Sequence, residues 1–382
     1  MSRAVLLDLA AGLLVAAAAA AAVMHVRAGE SGGLRAEVRH VLGASEVAAQ
    51  GVDAGSLAKA AAVPRAFYGK RLEPRASVVL QGAGQSDGVS FAAYSDAVKP
   101  ARPLLSMNYV DLHDDLPGFF AREKAELAKY PELIVPQIGL AMNEGDAKRN
   151  YAQEVADGVD DAQLKALCAG LKSLDRPVFL RVGYEFNGPW NGYEPRAYVA
   201  AFRHVVEAVR GCGLENVAMV WDWAADQELD AERGGAAASG ADARRDRFYP
   251  GDAWVDWWGI NLFSKESLTA ASTQAFLADA EKHGFPVMIG ESTPLHFNVA
   301  DGQRAVDGWF APYFGLMRRS KGIKAFCYID WDWSAFPQWK DWGDARIEKN
   351  AVVLGYYRGQ VGAPLFAGAM GKAETLKLLR VK

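Results

Sequence analysis

Apolar residues follow a regular alternation of short and long segments from about residue 75 onward. Short runs rich in β-branched or aromatic residues are each followed by a polar loop, and often by a segment with helical periodicity. Eight short runs are predicted strands: 77–81, 104–110, 133–138, 178–182, 217–221, 257–261, 287–289 and 325–329. The predicted helices between them are 119–129, 161–173, 195–211, 272–283 and 304–320.

The order of these elements predicts a single α/β domain, a (β/α)8 TIM barrel over residues 75–382. Alternating strands and helices favour parallel pairing with right-handed crossovers. The predicted strands span roughly 250 residues, which is the usual size of such a barrel. An open doubly wound sheet is the main alternative. No G-x-G-x-x-G or P-loop pattern follows a predicted strand, however, so the nucleotide chemistry typical of that fold is missing.

The N-terminal segment has a different pattern. Residues 4–24 form an apolar, Ala-rich run that only Asp8 interrupts, which is typical of an export signal. Residues 26–28 resemble a small-residue cleavage site, but the run is also close to the length that spans a bilayer. We therefore expect residues 1–28 to be a removed signal peptide or an uncleaved inner-membrane anchor. Residues 29–74 are expected to be a linker, and the protein to be exported, either periplasmic or extracellular.

Composition and charge narrow the function classes. The 42 basic and 46 acidic residues are scattered and give a formal net charge of −4, which offers no electrostatic footprint for nucleic acid. The six histidines show no HExxH motif, so we expect neither a metal site nor a cofactor. No G-x-S-x-G elbow of a serine hydrolase occurs. Cys168, Cys212 and Cys327 have no metal-like spacing and are predicted to be packing residues in a monomer.

The distribution of the eleven tryptophans points to a flat, amphipathic ligand. Most of them fall in a few clusters, among them Trp221 with Trp223 and Trp331 with Trp333. Sugar rings present apolar faces that stack on indole, while polar neighbours bind their hydroxyl groups. The alternative is that these tryptophans simply pack in the core.

Two glutamates follow predicted strands at the end of the barrel where active sites lie. Glu185 comes after the fourth strand in YEFNGPW, and Glu291 comes directly after the apolar seventh strand. Cleavage of a glycosidic bond needs two carboxyl groups, one to protonate the leaving oxygen and one to meet the developing cation. Strands four and seven face each other across a barrel, so Glu185 and Glu291 could supply these two carboxyl groups. The alternative is that each glutamate is a strand-end residue paired with a cation such as Arg181.

These motifs resemble glycoside hydrolase family 26. The segment 185–190 is similar to the family's acid/base motif E-[MF]-N-G-x-W, segment 286–291 to its nucleophile strand, and segment 249–260 to its approach to strand six. The likeness covers roughly residues 78–345. It implies Glu185 as acid/base, Glu291 as nucleophile and Trp190 as a sugar-stacking residue. The family's members are mostly endo-acting β-mannanases, with β-glucanases and xylanases among them.

Two positions depart from the family pattern, and several others are predicted to bind substrate. Tyr184 stands where the family usually has His before the acid, and Phe263 stands where a tyrosine is expected to orient the nucleophile. Alternating tryptophan and aspartate after strands five and eight would line a cleft. The predicted substrate-binding residues are Trp190, Tyr184, Asn187, Asp222, Trp221, Trp223, Phe263, Trp331, Asp330, Trp333 and Tyr109.

The sequence therefore predicts a retaining, endo-acting glycoside hydrolase. Its partner would be a β-linked polysaccharide of the mannan, glucan, xylan or bacterial exopolysaccharide type. Two alternatives remain open: a carbohydrate-binding barrel without turnover, and a transglycosylase acting on the same kind of polymer.

Overall fold

A computed structural model of the chain describes residues 61–85, 88–227 and 244–381, together with positions 55 and 229. The predicted signal or anchor at 1–28 and most of the predicted linker lie outside these residues. Among the helices in the described part of the chain, none is both long and apolar enough to cross a membrane.

Eight parallel strands close into a barrel. Each strand pairs with its neighbours in chain order, and β1 pairs with both β8 and β2. A short ninth strand, β9 (Phe366–Ala367), pairs with the start of β1. The barrel strands are β1 (Val79–Ala83), β2 (Leu105–Asp111), β3 (Val135–Ala141), β4 (Val178–Val182), β5 (Val217–Ala224), β6 (Trp257–Leu262), β7 (Val287–Ser292) and β8 (Ile323–Tyr328). The predicted (β/α)8 fold is confirmed.

Helices surround the barrel and bury their apolar faces on it. In α5 (Pro195–Gly211) the Glu194 side chain caps the first turn by accepting from the backbone N–H groups of Arg196 and Ala197, and Pro195 occupies a position that needs no N–H donor. The other helices are α1 (Gly88–Ala97), α2 (Leu116–Leu127), α3 (Ala152–Ala156), α4 (Asp161–Ser173), α6 (Ala271–His283), α7 (Gln303–Ala305), α8 (Ala311–Arg319), α9 (Ala351–Val361) and α10 (Lys372–Leu378). A π-helical turn, Val306–Phe310, joins α7 to α8.

The predicted boundary of the linker is wrong at its C-terminal end, because Val63 and Ala66 bind α8 and the segment after it, and Glu73 binds β8. Glu73 is fully buried, and its carboxylate accepts from the N–H groups of Tyr68 and Lys70. It also forms an ion pair of 3.1 Å with Lys324 at the start of the last barrel strand. The domain therefore begins before residue 75.

The cysteines differ from the prediction in one respect. Cys168 of α4 and Cys212, directly after α5, form a disulfide, whereas Cys327 is a buried free thiol. The pairing joins two adjacent outer helices, which the sequence separation of 44 residues did not indicate.

Trp221 and Trp223 do not line a cleft, and their predicted role in substrate binding is corrected. Side chains alternate between the two faces of a strand, so the tryptophans of β5 point outward while Asp222 points into the barrel. Trp221 is 0% exposed and stacks on Phe186 at a centroid distance of 4.6 Å. Trp223 stacks on Phe276 of α6 at 5.0 Å. Both rings belong to the core between the barrel and its helices.

Candidate active site

The Glu185 carboxyl group lies in a sharp turn just past β4. Glu185 has a φ of +51°, an uncommon backbone conformation for a residue with a side chain, and its carbonyl accepts from the N–H of Gly188 at 2.8 Å. The Trp190 indole N–H donates to Oε2 at 2.9 Å, and the Asn261 amide donates to Oε1 at 3.0 Å. Burial, with the charge of nearby Glu291, raises the pKa of Glu185 to about 8. This shift favours the protonated form of the carboxyl group.

Glu291 lies within β7 and is bound by a buried cation. Arg181 of β4 donates through Nη1 to Oε1 of Glu291 at 2.7 Å and to Oδ2 of Asp222 at 2.7 Å. Although burial opposes it, the carboxylates of Glu291 and Asp222 hold the pKa of Arg181 well above its ordinary value. Glu291 is therefore paired with a cation, whereas the hydrogen-bond donors to the Glu185 carboxyl group, Trp190 and Asn261, are neutral.

Two glycines make room for this cluster inside the barrel. A Cβ atom on Gly259 of β6 would lie 2.3 Å from Oδ1 of Asp222. One on Gly290 of β7 would lie 2.8 Å from the same oxygen and 2.8 Å from Oδ1 of Asn261. Only a residue without a side chain lets the carboxylate approach both strands this closely.

Arg181 is expected to be essential for stability. Arg181→Met leaves Asp222 and Glu291 buried without their cation, so we expect the free energy of unfolding to fall by about 3–5 kcal/mol. Urea unfolding followed by circular dichroism measures the change. Arg304→Met, which removes an exposed ion pair with Asp301, should change it by less than about 1 kcal/mol. Equal effects of the two variants would contradict the proposed importance of the buried cluster.

An aromatic pair lies beside the cation. Tyr109 of β2 and Tyr184 have ring centroids 5.3 Å apart, and the Arg181 guanidinium lies 5.4 Å and 5.0 Å from their respective centroids. A Cβ on Gly139 of β3 would come within 3 Å of both rings, so this glycine allows the pair to form. Tyr184 therefore lies in the site, and its buried hydroxyl group has no hydrogen-bond partner within the described residues.

Three other predicted contacts are corrected, because Asp222 and Asp330 are buried and both ends of the Asn187 amide bind the backbone. Asp222 is fully buried beneath the glutamates and holds Arg181. Asn187 bonds the backbone N–H and carbonyl of Ala224 through its amide, at 2.9 Å each, and so ties the turn after β4 to β5. Asp330 is 2% exposed and accepts from the N–H of Ile347.

The loop after β8 carries an aromatic cluster, and ion pairs of Arg346 hold this loop together. Trp333 is 4% exposed, donates to the Thr293 hydroxyl at 3.0 Å and lies 4.9 Å from Trp342, so its predicted contact with substrate is also corrected. Phe263 is buried, and its ring centroid lies 5.5 Å from that of Trp342. Trp331 is only half-buried. Arg346 ties the segment together by bonding both Asp332 and Asp344.

Two polar residues that bind the turn carrying Glu185 were not predicted from the sequence. Asn261 ends a predicted apolar strand, and alternation along β6 places its amide inside the barrel beside Glu185. Asn191 lies beyond the motif and donates to the carbonyls of Tyr184 and Glu185. The sequence offered Arg181 only as the cation that would pair with a structural glutamate. In the structure Arg181 pairs with Glu291 inside the candidate site.

The protein is thus a parallel (β/α)8 barrel with two carboxyl groups, those of Glu185 and Glu291, near the carboxyl ends of its strands. No family model matches the chain. It is 29% identical over 323 residues to a β-1,3-xylanase of Alcaligenes sp, which covers 76% of this chain and 64% of the relative. It is 28% identical over 254 residues to a β-1,3-xylanase of Vibrio sp, covering 60% and 52%. The chain thus spans less than two thirds of the length of these curated relatives.

Solved structures extend the likeness in fold. The catalytic domain of a family 26 endo-β-1,4-mannanase from Bacillus sp. JAMB-750 superposes with a TM-score of 0.56 at 13% identity, covering 80% of this chain and 90% of that one. A family 26 β-mannanase from Bacteroides ovatus gives 0.52 at 14% identity, covering 78% and 92%. The resemblance in fold is therefore confirmed: the chain forms a (β/α)8 barrel similar to those of glycoside hydrolase family 26.

Proposed function

We propose that the protein is a retaining, endo-acting glycoside hydrolase of a β-linked polysaccharide. Glu185 protonates the leaving glycosidic oxygen, and the Glu291 carboxylate attacks the anomeric carbon to form a covalent glycosyl-enzyme. Glu185, now ionised, then removes a proton from the water that releases the sugar. The observation that carries the proposal is the contrast between a buried Glu185 bound by the neutral donors Trp190 and Asn261, with its pKa raised, and a Glu291 that is ion-paired with Arg181.

The sugar is proposed from the relatives. Two of them are named β-1,3-xylanases, and a third, 26% identical over 232 residues, is named endoglucanase H from Acetivibrio thermocellus. We therefore propose β-1,3-linked xylan as the first substrate, ahead of glucan and mannan. Tyr109, Trp190 and Trp331 are half-buried at this end of the barrel, so they can offer aromatic faces to sugar rings. Tyr184 and Phe263 would border the same site.

Release of reducing ends by the full chain tests the proposal. β-1,3-Xylan, other xylans, β-glucans, mannans and bacterial exopolysaccharides form the panel, and the Glu185→Ala and Glu291→Ala double variant is the control. We expect oligosaccharides of several lengths from at least one polymer. Binding to a polymer without any release by the unaltered chain would support the carbohydrate-binding alternative instead.

The pH dependence of kcat/KM should follow the proton on Glu185. Its pKa is raised to about 8, so the free enzyme carries the required proton below that pH and loses it above. We expect kcat/KM to be level from about neutral pH to pH 8 and to fall tenfold per further unit. With an activated aryl glycoside, which needs no protonation, this alkaline decline should be absent. A decline that is identical for both substrates would contradict the assignment.

We also propose that the protein acts outside the cytoplasm. Disulfides persist in oxidising compartments, and Cys168 pairs with Cys212 in the outer helices. The apolar, Ala-rich run at residues 4–24 is typical of an export signal.

A further inference from the structure

The side-chain amide of Asn191 lies against the turn that carries Glu185. Its Nδ2 donates to the carbonyl of Tyr184 at 2.9 Å and to the carbonyl of Glu185 at 3.0 Å. One carbonyl belongs to the peptide group that enters Glu185, and the other to the group that leaves it. A single amide thus fixes both peptide groups on either side of the Glu185 Cα.

Asn191 is itself held rigidly. Its Oδ1 accepts from the Asn143 amide at 2.9 Å, and its own carbonyl accepts from the Asn150 amide at 3.1 Å. The backbone N–H of Asn143 in turn donates to Asp111 at the end of β2 at 3.0 Å. Asn191 is only 5% exposed, and both ends of its amide are bound within the protein. The amide is therefore not placed to bind a substrate.

The turn needs such support because of its backbone conformation. Glu185 has a φ of +51°, which is unfavourable for a residue with a Cβ and persists only where its surroundings hold it. The same turn aims the carboxyl group at the Trp190 and Asn261 donors. A small rotation of the turn would move the carboxyl oxygens away from the bond to be protonated.

We propose that Asn191 is a positioning residue for the acid/base, acting through the backbone of Glu185. This inference rests on the proposed function, in which Glu185 protonates the leaving group. The contribution of Asn191 to kcat/KM would then be largest for substrates whose leaving group must be protonated. Loss of its amide should affect substrates with poor leaving groups and spare those with good ones.

Asn191→Ala should show this difference in kcat/KM, which covers the steps up to cleavage of the glycosidic bond. On β-1,3-xylan we expect a loss of roughly 10- to 100-fold, because a slight misplacement of a catalytic group has an effect of that order. On the dinitrophenyl β-glycoside of the corresponding xylose disaccharide, the loss should stay within about threefold, since that leaving group departs without a proton. A purely structural defect would lower both values equally.

Two further variants provide the control and a second test. Asn216→Ala removes another amide-to-carbonyl bond, from Asn216 to Arg176 at 2.7 Å, ahead of β5 at the opposite end of the barrel, and should leave both substrates unaffected. Asn143→Ala removes the anchor of Asn191, so it should give a smaller loss with the same dependence on the leaving group. It also keeps the proposal testable if Asn191→Ala does not fold.

The decisive comparison is a double-variant cycle with Glu185→Ala on β-1,3-xylan. If Asn191 acts through Glu185, adding Asn191→Ala to Glu185→Ala should cause no further loss of kcat/KM. The positioning role would be overturned if Asn191→Ala lowered kcat/KM as much in the Glu185→Ala background as in the unaltered protein. Equal losses of kcat/KM on the two substrates would also overturn it. Unchanged xylan hydrolysis by Glu185→Ala alone would instead overturn the proposed function.

Discussion

Glu291→Ala is expected to lower polysaccharide hydrolysis by more than about ten-thousandfold, because it removes the group that forms the covalent intermediate. The side chain lies within β7, and Arg181 holds its carboxylate at 2.7 Å. Its removal leaves a space on the face of the sugar opposite the leaving group. Azide can enter there and attack an activated aryl glycoside directly, so rescued activity should yield a glycosyl azide of inverted configuration.

Initial rates of the purified variant, with and without azide, measure this effect. Glu281→Ala is the matched control, since Glu281 is an exposed glutamate of α6 whose carboxylate lies 3.9 Å from Lys321. We expect that variant to keep full activity. Hydrolysis by Glu291→Ala at more than a small fraction of the unaltered rate would show that another group attacks the sugar.

Glu185→Ala is expected to reduce polysaccharide hydrolysis by about 10²- to 10⁴-fold, the usual contribution of a general acid and base. With an activated aryl glycoside kcat/KM should change little, because departure of that leaving group needs no proton. The glycosyl-enzyme should then accumulate, since no base assists water, and both kcat and KM should fall together. Burst kinetics on the aryl substrate check this. Loss of kcat/KM on both substrates alike would contradict a role as acid.

Much of the fold could be predicted because local signals agreed with the packing. The bounds of α4 and α5 match their predicted ranges to the residue, and in α5 a capping Glu194 and Pro195 mark the start. Helices α1, α3, α9 and α10 were not predicted. In α9 two glycines, Gly355 and Gly359, interrupt the apolar periodicity, and α3 has only five residues. Such helices depend on tertiary contacts more than on their own pattern.

Two strands, β5 and β7, extend further than predicted, and this changes the site. β5 extends to Ala224 and β7 to Ser292, because ladder hydrogen bonds join backbones regardless of side-chain polarity. Asp222 and Glu291 therefore lie within strands, where alternation decides which face each side chain takes. That alternation places Trp221 and Trp223, on either side of Asp222 in the sequence, in the core between the barrel and its helices. A cleft of alternating tryptophan and aspartate could not form there.

The positions of the two glutamates near strand ends could be predicted from the sequence, whereas the residues that bind them could not. Each glutamate follows a predicted apolar strand in a short motif of the sequence. Arg181, Asn261 and Asn191 act on them from other strands or from a later turn, at distances fixed only when the barrel closes. The disulfide between Cys168 and Cys212 was missed for the same reason.

The anomeric configuration of the azide products from the two alanine variants tests the central claim most directly. Both variants are given the same activated β-linked aryl glycoside with azide, and proton NMR identifies the products. Glu291→Ala should give the α-azide by direct attack, and Glu185→Ala should give the β-azide through the intact covalent intermediate. Interchanged anomers would mean that the two roles are reversed. Undiminished hydrolysis of the polysaccharide by both variants would contradict the assignment of the chemistry to this pair of glutamates.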